Sequence, residues 1–136
     1  MKIKLNEGAF MPERGHPLDA GLDLKAPYSF TIYPGERKDI DTGVCVEIPI
    51  DHVGLVTSKS GLMRDHGITS EGTIDSSYRG SIHAILFNAS KHAVNFEVGD
   101  KITQLVVMPC SILDIEVVKE LSKTDRGEDG FGSTGR

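Results

Sequence analysis

Ile82-His-Ala-Ile-Leu86 decides the fold class. Ile82, Ala84 and Leu86 recur at period two, the spacing that puts alternate side chains on one face of a β-strand. Val44-Cys-Val-Glu-Ile48 repeats the pattern through Val44, Val46 and Ile48. Working outward, strand-like runs occupy 2–5, 28–33, 53–57, 94–98, 102–108 and 112–118. Pro34-Gly35, Ile48-Pro49 and Gly99-Asp100 punctuate them. Many short strands at such spacing predict an all-β sandwich or barrel. No segment sustains a 3.6-residue stripe, which disfavours a parallel α/β sheet. One short helix is expected, with Ser60 as N-cap of Gly61-Leu-Met-Arg-Asp-His66 and Gly67 ending it. No internal repeat of useful length is visible.

The totals fit one domain: 136 residues, 38% hydrophobic, 15 glycines and no tryptophan. A chain of this length buries roughly two-thirds of its unfolded surface. A net charge of −5 argues against non-specific nucleic-acid binding, which needs a basic footprint. An anionic ligand would need a local basic cluster. Cys45 and Cys110 stand far apart and outside any C-x-x-C, as expected for two reduced core thiols in a cytoplasmic protein. No signal-like apolar segment and no run of transmembrane length is present, so no membrane partner is expected. His16, His52, His66, His83 and His92 show no zinc-ligand spacing.

The segment from 122 onward is the one linker-like region. Its end, Arg126-Gly-Glu-Asp-Gly-Phe-Gly-Ser-Thr-Gly-Arg136, holds four glycines, one aromatic and no apolar periodicity. Such a segment cannot order itself by burial. It does carry two guanidinium groups, two hydroxyls and a ring able to stack on a base. It reads as a flexible C-terminal flap, 122–136, that folds when a phosphorylated ligand arrives, closing on the body of the domain at 1–121. Gly130-Phe-Gly-Ser-Thr-Gly135 matches G-x-G-x-x-G, but that string carries meaning only between a strand and a helix of a βαβ unit. Only Arg136 follows it here, so the dinucleotide reading is rejected.

Four further segments carry candidate chemistry. Gly72-Thr-Ile-Asp-Ser-Ser-Tyr-Arg-Gly80 reads as a hairpin between two strands. Asp75 alone is an ordinary turn residue and Tyr78 alone a packing aromatic. Together they suit a nucleotide, with backbone groups copying base pairing, Tyr78 against a sugar and Asp75 orienting a water. Ser58-Lys-Ser-Gly-Leu-Met-Arg64 places a cation, a hydroxyl and a glycine at a helix start, where free N–H groups favour phosphate. Asp19-Ala-Gly-Leu-Asp-Leu24 offers two carboxylates flanking a tight turn, able to hold Mg²⁺ through its waters. Gln104 is a polar residue inside an apolar strand, paired with backbone or facing a ligand.

These four segments and the tail, in this order, resemble the five motifs of the trimeric all-β dUTPase family, the deoxyuridine triphosphate pyrophosphatases. The motifs are Ala20-Gly-Leu-Asp-Leu24, Ser58-Lys-Ser-Gly61, Gly72 to Gly80, Gly99-Asp-Lys-Ile-Thr-Gln-Leu105 and Arg126 to Gly135. The resemblance implies a jelly-roll-like β-barrel and a homotrimer with three active sites at subunit interfaces. It implies hydrolysis of dUTP to dUMP and pyrophosphate with Mg²⁺, which keeps uracil out of DNA and supplies dUMP for thymidylate synthesis. Asp75 is carried over as the residue that activates water, and Tyr78 as the sugar platform that excludes a 2′-hydroxyl. The backbone around Gly72, Thr73, Ile74 and His83 would read uracil. Lys59, Ser60, Gly61 and Gln104 would contact phosphates, and Asp23 the waters of Mg²⁺. Phe131 and Gly132 would cover the base, while Arg126 and Ser133 close on the phosphates.

Several positions depart from the family pattern. Lys59 and Lys101 stand where arginine is frequent, keeping the charge but not the bidentate fork. Ser58 replaces a common proline, Asp129 a common glycine, and the segment between Ile68 and Gly72 is short. A dCTP deaminase or bifunctional relative is the nearest alternative, but Glu71 does not match the glutamate it needs. A regulatory nucleotide-binding module of the same fold is the alternative outside enzymology. A zinc deaminase lacks both its sequence signatures here.

Overall fold

The computed structural model describes residues 1–130. Its elements are β1 (Lys2–Leu5), β2 (Gly21–Lys25), β3 (Phe30–Ile32), β4 (Arg37–Glu47), β5 (His52–Thr57), α1 (Ser60–His66), β6 (Ile68–Ile74), β7 (Ser81–Asn88), β8 (Val94–Phe96) and β9 (Lys101–Pro109). Seven strands form one antiparallel sheet in the order β1-β4-β7-β6-β5-β9-β2, and β3 pairs with β8 apart from it. Among the described residues no helix is long and apolar enough to cross a membrane.

The period-two reading holds on β7: Ile82, Ala84, Leu86 and Asn88 are buried, while His83, Ile85 and Phe87 face out. The sheet is curled into a half-barrel. Leu24 of the last strand and Val44 and Val46 of the second strand share one core cluster with Val56, Ile82 and Leu105, a contact a flat sheet of seven strands would forbid. A second cluster joins Ile32 and Phe96 of the small sheet to Ile40, Ile68, Leu86 and Ile102, so β3–β8 closes one end. Burying each such aliphatic chain is worth about 1.5–3 kcal/mol.

Two buried polar groups fix irregular points. Register breaks on β4 between Asp41 and Cys45, where the Thr42 hydroxyl donates to the Ile82 carbonyl at 2.6 Å. Asn88 is fully buried. Its amide donates to the carbonyls of Ile32 (2.9 Å) and His92 (2.8 Å), and its Oδ1 accepts from Ser90 N–H (2.9 Å).

Four expectations need correction. Residues 112–118 form no strand: Ile112, Leu113, Ile115 and Val117 stand exposed, and the segment pairs with neither edge strand of the sheet, β1 or β2. Gly21–Lys25 is a strand rather than a tight turn, since Leu22 and Leu24 pack into the core across from β9. Ser60 is already helical, and the N-cap is Lys59 with extended backbone and no side-chain cap bond. Gly67 ends the helix in the left-handed region as expected. Cys45 is a buried free thiol but Cys110 is only partly buried, as it lies just past the end of β9.

Candidate active site

The β6–β7 hairpin builds the first half of the site. Its turn is closed by Tyr78 N–H donating to the Asp75 carbonyl at 3.0 Å. The Arg79 guanidinium clamps the carbonyls of Ser76 (2.7 Å) and Tyr78 (2.8 Å). The Tyr78 ring folds back over Gly80, and its hydroxyl donates to the Ser81 carbonyl at 3.0 Å. Only glycine permits this, because a Cβ at residue 80 would lie 2.2 Å from Tyr78 Oη. Gly72, Thr73, Ile74, Asp75, Tyr78 and His83 line a cavity of about 360 Å³.

Asp39 on the neighbouring β4 also lines this cavity, and Asp41 lies opposite His83 in the β4–β7 register. His83 Nδ1–H donates to Asp39 Oδ1 at 2.7 Å. Asp41 accepts from the Ser81 hydroxyl and, at 2.9 Å, from Gly43 N–H. The Ser81 bond, then the Gly43 bond, hold the Asp41 carboxyl below its usual value against a smaller opposing effect of burial.

The second half lies where β2, β9 and the start of α1 meet. Asp23 on β2 is nearly inaccessible, its side chain only 8% exposed. Lys59 binds its Oδ1, and Lys101 Nζ lies 2.9 Å from Oδ2. Burial alone would raise the Asp23 pKa, but the bonds to Lys59 and Lys101 outweigh it and the net shift is downward. Lys101 is shifted upward, first by Asp23 and also by Glu13, with burial opposing. Gln104 lies opposite Asp23 on β9 and its Nε2 donates to the Ser58 carbonyl at 3.1 Å, tethering the Lys59 segment. A Cβ on Gly21 would sit 2.1 Å from Gln104 Oε1, so the glycine makes room for that amide. Asp23, Lys59, Lys101 and Gln104 line a cavity of about 550 Å³ together with His16 and Asp19.

At the helix start, nothing lies within 4 Å of a Cβ built on Gly61. The Cβ side of Gly61 therefore faces open space, two residues along the chain from Lys59. Ser58 ties this segment to β6: its hydroxyl donates to the Ser70 carbonyl (3.0 Å) and accepts from Ser70 N–H (2.8 Å).

The structure thus gathers the expected residues into two groups. One is Gly72, Thr73, Ile74, Asp75, Tyr78 and His83; the other is Asp23, Lys59 and Gln104, with Ser60 and Gly61 adjoining. The two cavities share no lining residue. Both open on the same sheet face. Asp23, Gln104, Thr57 and Glu71 stand opposite one another on successive strands, and directly paired residues share a face. Arg126 stands on the exposed tail, its Nε donating to the Asp129 carbonyl at 3.0 Å. Phe131, Gly132 and Ser133 lie outside the described residues. Sequence reasoning missed Glu13, Lys25, Asp39 and Asp41. The alternation of Asp39 and Asp41 along β4 could have placed them beside His83; Glu13 has no spacing signal at all.

The donor set bears on a metal. Among the described residues no three His, Cys, Asp or Glu side chains could hold an ion together. One carboxylate between two ammonium groups suits a hydrated cation that arrives on a polyphosphate, which is how Mg²⁺ usually binds.

The chain matches the family model described as dUTPase over residues 7–135. It is 45% identical over 135 residues to the deoxyuridine 5'-triphosphate nucleotidohydrolase of Clostridium novyi, covering 97% of this chain and 95% of that protein. It is 44% identical to the Clostridioides difficile protein of the same name, covering 97% and 94%. Among solved structures it is similar to the Staphylococcus bacteriophage 80alpha dUTPase with dUpNHpp, at TM-score 0.93 and 31% identity, covering 99% and 98%. It is also similar to a variant dUTPase of S. aureus phage phi11 described as revealing the coordination of a structural Mg(II) ion, at TM-score 0.81 and 28% identity, covering 88% and 96%. With the family model spanning almost all of its length and such relatives matched end to end, the chain belongs to the dUTPase family.

Proposed function

We propose that the protein hydrolyses dUTP to dUMP and pyrophosphate by attack of water on the α-phosphorus, with Asp75 orienting and partly deprotonating that water. The observation that carries this reading is the hairpin cavity, where the Asp75 carboxylate, the Tyr78 ring and the β6 backbone left unpaired with β7 beyond Ser70 converge. Backbone groups of Gly72, Thr73, Ile74 and His83 read the uracil edge, and Tyr78 fills the space a 2′-hydroxyl would need. Lys59, the Ser60–Gly61 backbone and Gln104 hold the phosphates, and Asp23 faces the waters of Mg²⁺. The metal supplies charge neutralisation on the triphosphate and a better leaving group. Alignment and electrostatics supply most of the rate, and a well-placed base adds about 10²–10⁴-fold. The tail, through Arg126, Phe131, Gly132 and Ser133, closes over the nucleotide and excludes water.

The same reading makes the protein a homotrimer whose sites combine groups from different subunits. Three features support it. The base-reading and phosphate-binding groups line separate cavities within one chain. The outer sheet face carries Ile85, Phe87 and Met108 exposed. The 112–121 arm exposes six aliphatic side chains, far more than a free monomer gains from leaving in water.

Pyrophosphate release from dUTP, dCTP, dTTP and UTP, with and without Mg²⁺, tests the proposal. Rapid release from dUTP alone is expected. Deamination of dCTP would move the chain to the deaminase branch. Tight dUTP binding without turnover would favour a regulatory nucleotide-binding module.

A further inference from the structure

Glu13 precedes β2 and faces Asp23 in an isolated antiparallel bridge. Glu13 N–H donates to the Asp23 carbonyl (3.3 Å), and Asp23 N–H to the Glu13 carbonyl (2.7 Å). Two carboxylates directly opposite each other on adjacent strands repel. Here an ammonium sits between them: Lys101 Nζ is 3.4 Å from Glu13 Oε1 and 2.9 Å from Asp23 Oδ2. Lys25 Nζ approaches the same Glu13 oxygen at 3.0 Å, and Lys59 takes the second Asp23 oxygen. Three ammonium groups thus face two carboxylates. Without Glu13 they would face one, and that one would be the group assigned to the metal's waters.

We propose that Glu13 is a positioning residue for the phosphate site, sharing Lys101 with Asp23 so that Asp23 stays available to a hydrated divalent cation. This rests on the reading of Asp23 given above. Its carboxylate does not touch the nucleotide; it acts through Lys101 and through the local charge. The charge balance gives an effect with two signs. Neutralising Glu13 leaves Asp23 more tightly held and the surroundings more positive. Divalent cation binding then weakens, while binding of a metal-free polyphosphate tightens. A general loosening of the site would weaken both.

The test is calorimetric binding of the non-hydrolysable analogue dUpNHpp to the full chain, in EDTA and in saturating Mg²⁺. The ratio of the two Kd values measures how far the cation helps the nucleotide. In Glu13→Gln the EDTA Kd should fall and the ratio should shrink by about three- to tenfold, the effect of one partly screened charge at short range. Glu13→Asp should restore part of the ratio. Lys101→Met should move it the opposite way, above the wild-type value, and it carries the test should Glu13→Gln fail to fold. An unchanged ratio in the folded variants, or a Glu13→Gln variant weakened equally in both buffers, overturns the role of Glu13. A wild-type ratio of one would overturn the reading of Asp23 itself, and the proposal with it.

Discussion

Gly80→Ala separates the cost of the site in stability from its cost in function. The added Cβ would stand 2.2 Å from Tyr78 Oη, 2.5 Å from Cζ and 2.9 Å from Cε2. Ordinary contact needs about 3.5 Å or more, so the ring must move by more than an ångström. Every atom in conflict belongs to the far end of one side chain that is already 42% exposed, so the ring swings outward and the backbone stays. The loss is then one neutral hydrogen bond, Tyr78 to the Ser81 carbonyl, and part of one ring's packing. Together these cost about 1–2 kcal/mol, a fall in Tm of roughly 3–8 °C for a domain of this size. The functional loss should be larger, because the displaced ring no longer lies under the sugar. We expect KM for dUTP to rise at least about tenfold and the preference of dUTP over UTP in kcat/KM to drop at least as much. Steady-state pyrophosphate release on both nucleotides, beside a thermal melt, measures all three. Tyr78→Phe should reproduce the small stability loss without the change in sugar preference. A Gly80→Ala enzyme that keeps its KM and its discrimination against UTP would refute the placement of Tyr78 as the sugar platform.

Asp75→Asn should bind dUpNHpp with little change and lose about 10²–10⁴-fold in kcat; retention of most of the turnover would remove Asp75 from the base role. Deleting 126–136 should leave the melting curve nearly unaltered and the enzyme largely inactive, and a collapsed melt would make the tail structural. Asn88→Ala removes the buried amide's bonds to the Ile32 and His92 carbonyls and from Ser90 N–H, leaving His92 only the Ser90 hydroxyl, and should cost about 2–4 kcal/mol in urea unfolding with KM unchanged. Asp23 has a depressed pKa in the fold. Its contribution to stability is therefore complete above its unfolded value, near pH 4, and is lost as pH falls through the lower folded value. Urea midpoints between pH 2 and 7 should show that acid loss partly flattened in Asp23→Asn.

The strands with clean alternation were legible because burial on one face writes itself into period two. β7 and β4 are such strands. β6 was legible only as the foot of a hairpin: Ser70 points inward, Gly72 has no side chain, and the strand exists through its pairing with β5 and β7. β2 hid behind Asp23, whose charge reads as a turn until two lysines from distant elements are folded onto it. The apolar alternation at 112–118 misled for the opposite reason, since pattern reports a wish for a partner and not where the partner is. At the site, Asp75, Tyr78, Lys59 and Gln104 could be named from short motifs. Glu13 could not, because its link to Lys25 and Lys101 is made across strands.

The charges inside that arm have a consequence of their own. Asp114 and Glu116 alternate with Leu113, Ile115 and Val117. On an extended backbone the acids therefore line one face and the aliphatics the other. Two such arms pairing with each other would bring acid opposite acid, which is destabilising. The interruption by like charge acts as a gatekeeper against arm-to-arm aggregation, so the segment can keep its aliphatic face exposed without inviting copies of itself.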